Sequence, residues 1–395
     1  MFDVNVKHSS DIRVNNKKVI INQLMVEPKT KKQIANDTGL SIATASNLCN
    51  ELIQQGYLCS NSTNNSDGGR IPQQYMIKTD SRYAVCLNMV EYDIITLAVT
   101  DIVGNVIFQE PINSESAKSA EALIEFSSAC INETLEKLGI DISLVIGIGV
   151  AVGGNELEGV NTIQNCYGHP LLENANIRCY LEKNFPTVPV YIDNVANEVA
   201  LALNHKHPEE NDLIYLYIGD SVGVGIISGG KLLRGSHGVG GEINHLQLGS
   251  NGYTCYCGQK NCIETEMSII GFQRKFFDSS SIEHEINRYG WDIFEDAVKN
   301  DDVHALRVIE ENGRMIGKTI TLLSQLFDAP SYWIGGFDSY IYSRLYPYIM
   351  EELESRSIFR HLFSYSVHFD EGFHTIISKG CYELAFRNWY PVDSK

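Results

Sequence analysis

The sequence lacks any apolar run long enough to cross a bilayer. The longest runs from Ile142 to Gly154, whereas a membrane-spanning helix needs about 20 apolar residues. The amino terminus, MFDVNVKHSSD, also lacks the basic segment followed by an apolar core that marks a secretory signal. We therefore expect a soluble, cytoplasmic protein with no membrane partner.

The cysteine pattern of a disulfide-bonded protein is absent as well. Single thiols scattered through apolar or helical-looking stretches are typical of reduced intracellular proteins. Seven of the ten cysteines follow this pattern: Cys49, Cys59, Cys86, Cys130, Cys166, Cys179 and Cys381. The other three fall within eight positions of one another and need a separate explanation.

These three cysteines and a histidine ten residues earlier form the pattern H-x9-C-x-C-x4-C. Gly252 and Gly258 supply tight turns that let the thiolates converge. Four nitrogen and sulfur donors without a carboxylate fit a closed tetrahedral zinc site. The alternative is a set of buried thiols beside an unrelated histidine. We predict one structural Zn²⁺ held by His245, Cys255, Cys257 and Cys262.

Positive charge is scarce overall but not in the first segment. The net charge is −18, which by itself disfavours binding to nucleic acid. Residues 1–80, however, carry nine Lys and Arg against seven Asp and Glu, whereas the remainder carries 22 against 42. The acidic excess therefore belongs to the larger part of the chain, and the first segment remains able to bind DNA.

The first segment is predicted to form three helices and a hairpin. Residues 17–26 are amphipathic, and Thr30 and Gln33 have the spacing of a capping box for a second helix that stops at Gly39. A third helix starts at Ser41. It carries an apolar face made of Ala45, Leu48, Leu52 and Ile53. Two helices joined by a short turn indicate a helix-turn-helix.

The opposite face of the third helix is predicted to read DNA. It carries short polar groups suited to base edges and phosphates: Thr44, Ser46, Asn47 and Asn50. The segments "YLCS" and "QQYMI" alternate like the strands of a hairpin, or wing, whose tip "NSTNNSDGGR" brings Arg70 towards a minor groove or phosphate. The alternative is an ordinary three-helix packing module with a solvated face.

A polar junction near residues 78–82 precedes a long α/β region. Three meandering strands followed by helix–strand alternation occur once between residues 83 and 152, and the same order recurs from residue 212 onward. The repetition predicts a duplicated fold with a cleft between two lobes, where ligands usually bind. We predict a DNA-binding domain over residues 1–80 and a two-lobed domain over residues 81–395, with the zinc loop at 245–262.

The stretch "GVGGEINHLQLGSNGYTCYCGQKNCIETEMS" resembles the signature of the ROK family of repressors, open reading frames and sugar kinases. The winged module resembles the repressor branch of that family, and "GIGVAVGG", "VYIDNVANEVALAL" and "WIGG" extend the likeness over nearly the whole chain. The zinc spacing with Gly-Glu-x-x-His is highly specific, whereas GIGVAVGG alone is weak. The resemblance implies an α/β, duplicated actin-like or ribonuclease-H-like fold with an N-terminal winged helix-turn-helix.

Site residues also follow from the resemblance. The family's zinc ligands match the four predicted above. Its sugar ligands match Glu242, His245 and Glu264, and Asn194 lies in the segment that carries the kinases' catalytic aspartate. Carboxylates and amides suit sugar hydroxyl groups. The alternative is that these are surface acids and a helix-capping asparagine.

Three departures from the kinase pattern argue against phosphoryl transfer. The kinases' general base is replaced by Val195, which cannot accept a proton. Their first phosphate-binding turn is replaced by residues 88–92, which contain no glycine, and their second reads Gly219-Asp220-Ser221. A carboxylate there repels a phosphate. We therefore predict no enzymatic activity.

The sequence therefore predicts a dimeric or higher oligomeric transcriptional repressor of carbohydrate-use genes, whose partners are an operator in double-stranded DNA and a sugar effector. Two alternatives remain open. One is an active sugar kinase with a DNA-binding domain, and the other is a regulator that binds a protein partner and no sugar.

Overall fold

The computed structural model describes residues 9–61, 73–91, 94–114, 116–157, 159–166, 168–277, 288–356 and 364–391. The first module contains a helix-turn-helix and a small sheet in the order β1-β3-β2. Its elements are α1 (Ser9–Val26), β1 (Lys29–Thr30), α2 (Lys31–Thr38), α3 (Ile42–Gln54), β2 (Leu58–Asn61) and β3 (Gln74–Ile77).

Local capping defines the ends of α2 and α3, as predicted. Thr30 and Gln33 form a capping box at the start of α2, and Gly39 ends it with a φ of 70°. Ser41 caps α3 by accepting the amide hydrogen of Thr44 at 3.1 Å. The predicted inner face of α3 lies in the core. Ala45, Leu48 and Leu52 are buried, and Ile53 packs against the same core.

The first module differs from the prediction in two respects. Helix α1 begins at Ser9 instead of Lys17, because its first two turns are polar and carry no apolar periodicity. Strand β1 was not predicted, since two residues are too few to form a pattern. The tip of the hairpin, with Arg70, lies outside the described residues.

Lobe I contains a five-stranded sheet in the order β10-β7-β4-β5-β6, and a two-stranded ribbon, β8-β9. The elements up to the ribbon are β4 (Tyr83–Met89), β5 (Ile94–Asp101), β6 (Val106–Asn113), α4 (Ala120–Leu138), β7 (Val145–Val152), β8 (Asn155–Glu156) and β9 (Ile163–Gln164). The rest are α5 (Ile177–Asn184), β10 (Val190–Asn194) and α6 (Val195–Lys206). Strand β7 follows a 3₁₀ turn over Ile142–Leu144, which Asp141 caps.

Lobe II contains a five-stranded sheet in the order β13-β12-β11-β14-β15. Its first elements are β11 (Leu213–Ile218), β12 (Val222–Ser228), β13 (Lys231–Leu232), α7 (Ile263–Met267) and α8 (Ile269–Phe276). The others are α9 (Arg288–Lys299), α10 (Val303–Phe327), β14 (Ser331–Gly335), α11 (Ser339–Arg356), β15 (Ser366–Phe369) and α12 (Phe373–Asn388).

The two sheets have the same topology, which confirms the predicted duplication. In each, three strands form an antiparallel meander, a fourth strand pairs in parallel with the first, and a fifth pairs in parallel with the fourth. Helices α6 and α12 pack against each other and connect the lobes, since α6 contacts β11 and β12 while α12 contacts β4 and β7. The two helices thus form the junction between the lobes.

The first module packs against the carboxyl end of α12. Lys18 donates a hydrogen bond to the carbonyl oxygen of Phe386, and its ammonium lies 3.3 Å from the centre of that ring. The rings of Tyr57 and Trp389 are 5.5 Å apart. A shared core of apolar residues joins the module, α6 and α12. None of the helices in the described part of the chain is long and apolar enough to span a membrane.

Candidate metal centre and ligand cleft

The side chains of the four predicted metal ligands converge. The donor atoms of His245, Cys255, Cys257 and Cys262 all lie within 4.8 Å of one another. Cys255 Sγ is 3.6 Å from His245 Nδ1, and Cys257 Sγ is 3.6 Å from Cys262 Sγ. Donors of a tetrahedral ion with Zn–S bonds of about 2.3 Å are separated by similar distances. The arrangement therefore fits a four-coordinate metal ion.

The loop that carries the thiols is held by its own backbone and by one buried acid. Gly252 and Gly258 have φ values of 77° and 85°, which favour glycine. Glu266 accepts hydrogen bonds from the amides of Ser250 and Asn251 at 2.8 and 3.0 Å and pairs with Lys275 at 2.6 Å. These contacts hold the loop in shape around the four donor atoms.

Burial makes two of the three thiols, Cys255 and Cys262, poorer acids. Burial raises the pKa of Cys255 above its usual value, and the same cause raises the pKa of Cys262. Burial also lowers the pKa of His245, which favours the neutral imidazole that binds metals. A divalent cation among these atoms would reverse the effect on the thiols by stabilising their thiolate forms.

A narrow cleft next to this cluster is lined by two of the four predicted sugar ligands, Asn194 and Glu242, whereas His245 and Glu264 are not among its lining residues. Its free volume is about 10 Å³, roughly the space of one water molecule. The described residues that line it include no Lys or Arg; they are Gly153, Asn155, Asn165, Asn194, Val195, Tyr217, Ser221, Val222, Gly223, Glu242, Asn244 and Tyr256. The cleft therefore offers amides, hydroxyls and a carboxylate, but no cationic group.

The predicted acid Glu242 lines this cleft, and the predicted acid Glu264 lies close to it. Glu242 accepts a hydrogen bond from Asn155 Nδ2 at 2.7 Å, and Glu264 accepts one from the amide of Val222 at 3.0 Å. Burial raises the pKa of Glu264 to about 8. The side-chain oxygen of the buried Asn244, in contrast, has no hydrogen-bond partner among the described residues. An unpaired buried acceptor favours a bound donor such as a hydroxyl group.

Asn194 lines the cleft and also has a structural role. Its Oδ1 caps α6 by accepting the amide hydrogen of Ala196 at 2.9 Å, and its Nδ2 donates to the carbonyl of Gly154 at 3.2 Å. The capping alternative is thus part of its role. The next residue, Val195, is buried and provides no group that could accept a proton from a ligand.

The turn that matches the kinases' second phosphate-binding turn is closed by a tyrosine. A Cβ atom added at Gly219 would lie 2.1 Å from the Tyr217 hydroxyl, and one added at Gly336 would lie 3.0 Å from the same ring. The amide of Gly219 donates to the carbonyl of Ser221 at 3.0 Å. This backbone donor is therefore already engaged within the turn.

Most of the predicted DNA-binding residues are accessible on α3. Thr44, Asn47 and Asn50 are exposed, whereas Ser46 is half-buried. The hydroxyl of Thr44 lies 2.8 Å from that of Ser41, so it also takes part in the cap. Arg70 lies outside the described residues.

Sequence reasoning missed three asparagines of the cleft, Asn155, Asn165 and Asn244. Asn155 follows β7, and β7 and β10 are parallel neighbours whose carboxyl ends meet at one edge of the sheet. A polar residue directly after a buried parallel strand was the signal that could have identified Asn155. Asn244 lies between two predicted ligands, and no feature of its local sequence distinguishes it.

A model of the ROK family matches residues 92–355. The xylose repressor of Caldicellulosiruptor bescii is 31% identical over 272 residues, which cover 66% of this chain and 64% of that protein's length. The DNA-binding transcriptional dual regulator NagC of Escherichia coli is 26% identical over 322 residues, covering 78% of this chain and 77% of that protein.

Solved structures share the fold. The crystal structure of a ROK family transcriptional regulator, a homologue of the E. coli MLC protein, aligns with a TM-score of 0.78 at 20% identity and covers 95% of this chain and 98% of that one. A ROK hexokinase from Thermus thermophilus aligns with a TM-score of 0.61 at 20% identity, covering 76% of this chain and 97% of that one. Repressors and kinases thus share this architecture.

Proposed function

The chain belongs to the ROK family, and from this premise we propose that it is a DNA-binding transcriptional repressor of carbohydrate-use genes whose DNA affinity depends on a sugar. The observation that carries the proposal is the combination of two parts in one chain. A helix-turn-helix with a polar outer face on α3 is packed against a duplicated body that carries Val195 at the position of the kinases' general base. The names of the two related regulators support the same function.

We assign the parts as follows. Residues 1–80 form the DNA-binding domain, in which Thr44, Ser46, Asn47, Asn50 and Arg70 contact the operator. Residues 81–395 form the sensor and the dimerisation body. A homodimer presents two copies of α3 to an inverted repeat, with half-sites about 34 Å apart for each helical turn of DNA.

The metal site has a structural role in this proposal. His245, Cys255, Cys257 and Cys262 hold one Zn²⁺, which has four protein donors and therefore no open position for a substrate. The ion fixes His245 beside Glu242 and Glu264 at the edge of the cleft. Metal binding therefore contributes to folding and to the shape of the sugar site.

The sugar site consists of Asn194, Glu242, His245 and Glu264, to which Asn155 and Asn244 are added from the geometry. The absence of Lys and Arg from the lining of the cleft favours an uncharged sugar. Because the free volume of the cleft is far below the roughly 300 Å³ of a typical ligand pocket, a sugar binds only after the lobes separate. A sugar that binds only the form with the wider cleft increases the population of that form. In the dimer, this form holds the two copies of α3 in a different arrangement.

Selection of genomic DNA fragments by the full-length protein tests the function. The selected fragments should share an inverted repeat and should lie upstream of genes for carbohydrate use. The proposal is wrong if the selected fragments share no motif and bind no more tightly than random DNA at the same salt concentration.

A further inference from the structure

A second cavity, separate from the sugar cleft, lies between α6, α12, the turn after β5 and the end of β15. Its volume is about 590 Å³, within the range typical of small-molecule sites. It has no lining residue in common with the cleft. Helix α6 begins at the cleft with Asn194 and ends at this cavity with His205 and Lys206, about 18 Å away at the usual helical rise.

One wall of the cavity carries an unsatisfied acid. Asp370 is 8% exposed, and its Oδ2 has no hydrogen-bond partner among the residues that the structure describes. Its Oδ1 accepts the amide hydrogen of Gly372 at 3.1 Å. A buried carboxylate oxygen without a donor is destabilising unless water or a ligand supplies one.

Two lysines, Lys206 on α6 and Lys379 on α12, also line the cavity, together with the exposed Glu371. The charge of Lys206 opposes the rise that burial causes in the pKa of Asp370, but neither lysine forms a salt bridge among the described residues. Glu383, the buried acid nearby, is already paired with His205 at 2.9 Å and with Arg387 at 3.1 Å. The two ammonium groups thus remain available to an anion.

Aromatic side chains hold the third wall rigid. Trp333 stacks on His368 with ring centres 4.7 Å apart, and its indole nitrogen donates to Glu210 at 3.3 Å. Phe369 stacks on Tyr342 at 4.7 Å. Such rings provide an apolar surface for the carbon skeleton of a ligand.

We propose that this cavity binds a small anion that also carries hydroxyl groups, of which a sugar phosphate is the simplest representative. Lys206 and Lys379 pair with the anionic group, Asp370 accepts a hydroxyl hydrogen, and Trp333 and Phe369 contact the carbon chain. An uncharged sugar has no anionic group to pair with the two lysines. Inorganic phosphate has no sugar hydroxyl to donate to Asp370.

Occupation of the cavity affects both lobes and the first module. The ligand contacts α12, whose carboxyl end receives Lys18 of α1, and also β15 of lobe II. The regulatory consequence rests on the proposed function: a sugar phosphate changes operator affinity independently of the sugar in the cleft. The binding itself does not depend on that function.

Titration with glucose 6-phosphate, followed by calorimetry and by the emission of Trp333, tests the proposal on the full-length protein. We expect saturable binding at millimolar or lower concentration, and weakening of about tenfold or more in the Lys206→Ala/Lys379→Ala double variant. Asp370→Asn should weaken the binding of glucose 6-phosphate more than it weakens the binding of inorganic phosphate. Trp333→Phe should remove the emission change while heat of binding remains.

Glu242→Ala separates this site from the cleft. Binding of glucose 6-phosphate should change by less than about twofold in this variant. Loss of binding in Glu242→Ala, with retention in the double lysine variant, would place the ligand in the cleft and overturn the proposal. The proposal also fails if neither glucose 6-phosphate nor a pentose phosphate binds, or if inorganic phosphate binds as tightly as both. None of these outcomes tests whether the first module binds DNA or whether the cleft binds an uncharged sugar.

Discussion

Cys257 is exposed, whereas Cys255 and Cys262 are buried, so its substitution removes a donor without leaving a cavity. Cys257→Ala should lower the zinc content from about one ion per chain to near zero and lower the melting temperature, because binding of a structural zinc ion contributes on the order of 10 kcal/mol in model peptides. Metal analysis and thermal unfolding measure both effects. Cys179→Ala, an exposed thiol outside the cluster, serves as the control. Full zinc content in folded Cys257→Ala would show that the ligand set is wrong.

Lys18 provides a prediction about pH. Burial lowers its pKa from the usual 10.5 to about 7, while the nearby Glu383 opposes the shift. Between these two values the unfolded chain binds a proton that the folded chain releases, so stability rises with pH in this window. Urea unfolding should show wild type gaining stability relative to Lys18→Met from about pH 7 to about pH 10.

The exposed Lys32, substituted as Lys32→Met, is the matched control for that comparison. Its difference from wild type should not vary with pH over the same window. An identical pH dependence of wild type and Lys18→Met would mean that Lys18 keeps its proton when buried, held by the Phe386 ring and carbonyl.

At the scale of single residues, the spacing of cysteine and histidine predicted a cluster because it limits where the donors can lie. The four side chains do converge. The spacing carried no information about Asn244 or about the unpaired oxygen of Asp370, since both depend on which elements pack around them. Asn194 was predicted to lie at the site, but its hydrogen bonds to Ala196 and Gly154 were visible only in the structure.

Helix α3 provides the most direct test at the scale of elements. Asn47→Ala and Asn50→Ala should each reduce affinity for the selected operator by roughly tenfold, since one good base contact contributes about 1–3 kcal/mol. Affinity for random DNA should change little. Electrophoretic or fluorescence titration measures both affinities. The exposed Asn132 of α4, changed to Ala, is the control, and equal effects of all three substitutions would remove α3 from the interface.

Elements with strong local signals were predicted closely. Capping residues and apolar periodicity defined α2 and α3, because these signals act within one or two helical turns. The predicted start of α1 was wrong because the first two turns of the helix carry no apolar periodicity, and residues 11–13 are exposed. The predicted part of the helix is the part that packs: Lys17 lies 3.3 Å from Glu51, and Lys18 contacts α12.

At the scale of the whole molecule, the repetition of one strand order in the sequence predicted the two lobes. The narrowness of the cleft and the presence of the second cavity could not be predicted, because both depend on the angle between the lobes. No sequence pattern encodes that angle directly. The position of the first module against α12 was also missed, as its contacts involve residues more than 300 positions apart.

The purified protein should not phosphorylate any common hexose or pentose. A missing general base alone lowers a rate by about 10²–10⁴, and the Tyr217 ring also closes the turn at Gly219. Sugar-dependent consumption of ATP is measured with a coupled assay, using a ROK hexokinase as positive control. Turnover near one per second would favour the kinase alternative over the repressor.

The central claim is that a sugar in the cleft controls the binding of DNA by the first module. Operator affinity should therefore be measured for wild type and Glu242→Ala, each without and with the sugar that most raises the melting temperature of wild type. We predict that the sugar changes operator affinity of wild type by at least about fivefold, and that Glu242→Ala retains zinc and sugar-free affinity but loses this response. An equal response of both proteins, or no response of wild type to any sugar that binds it, would contradict the claim.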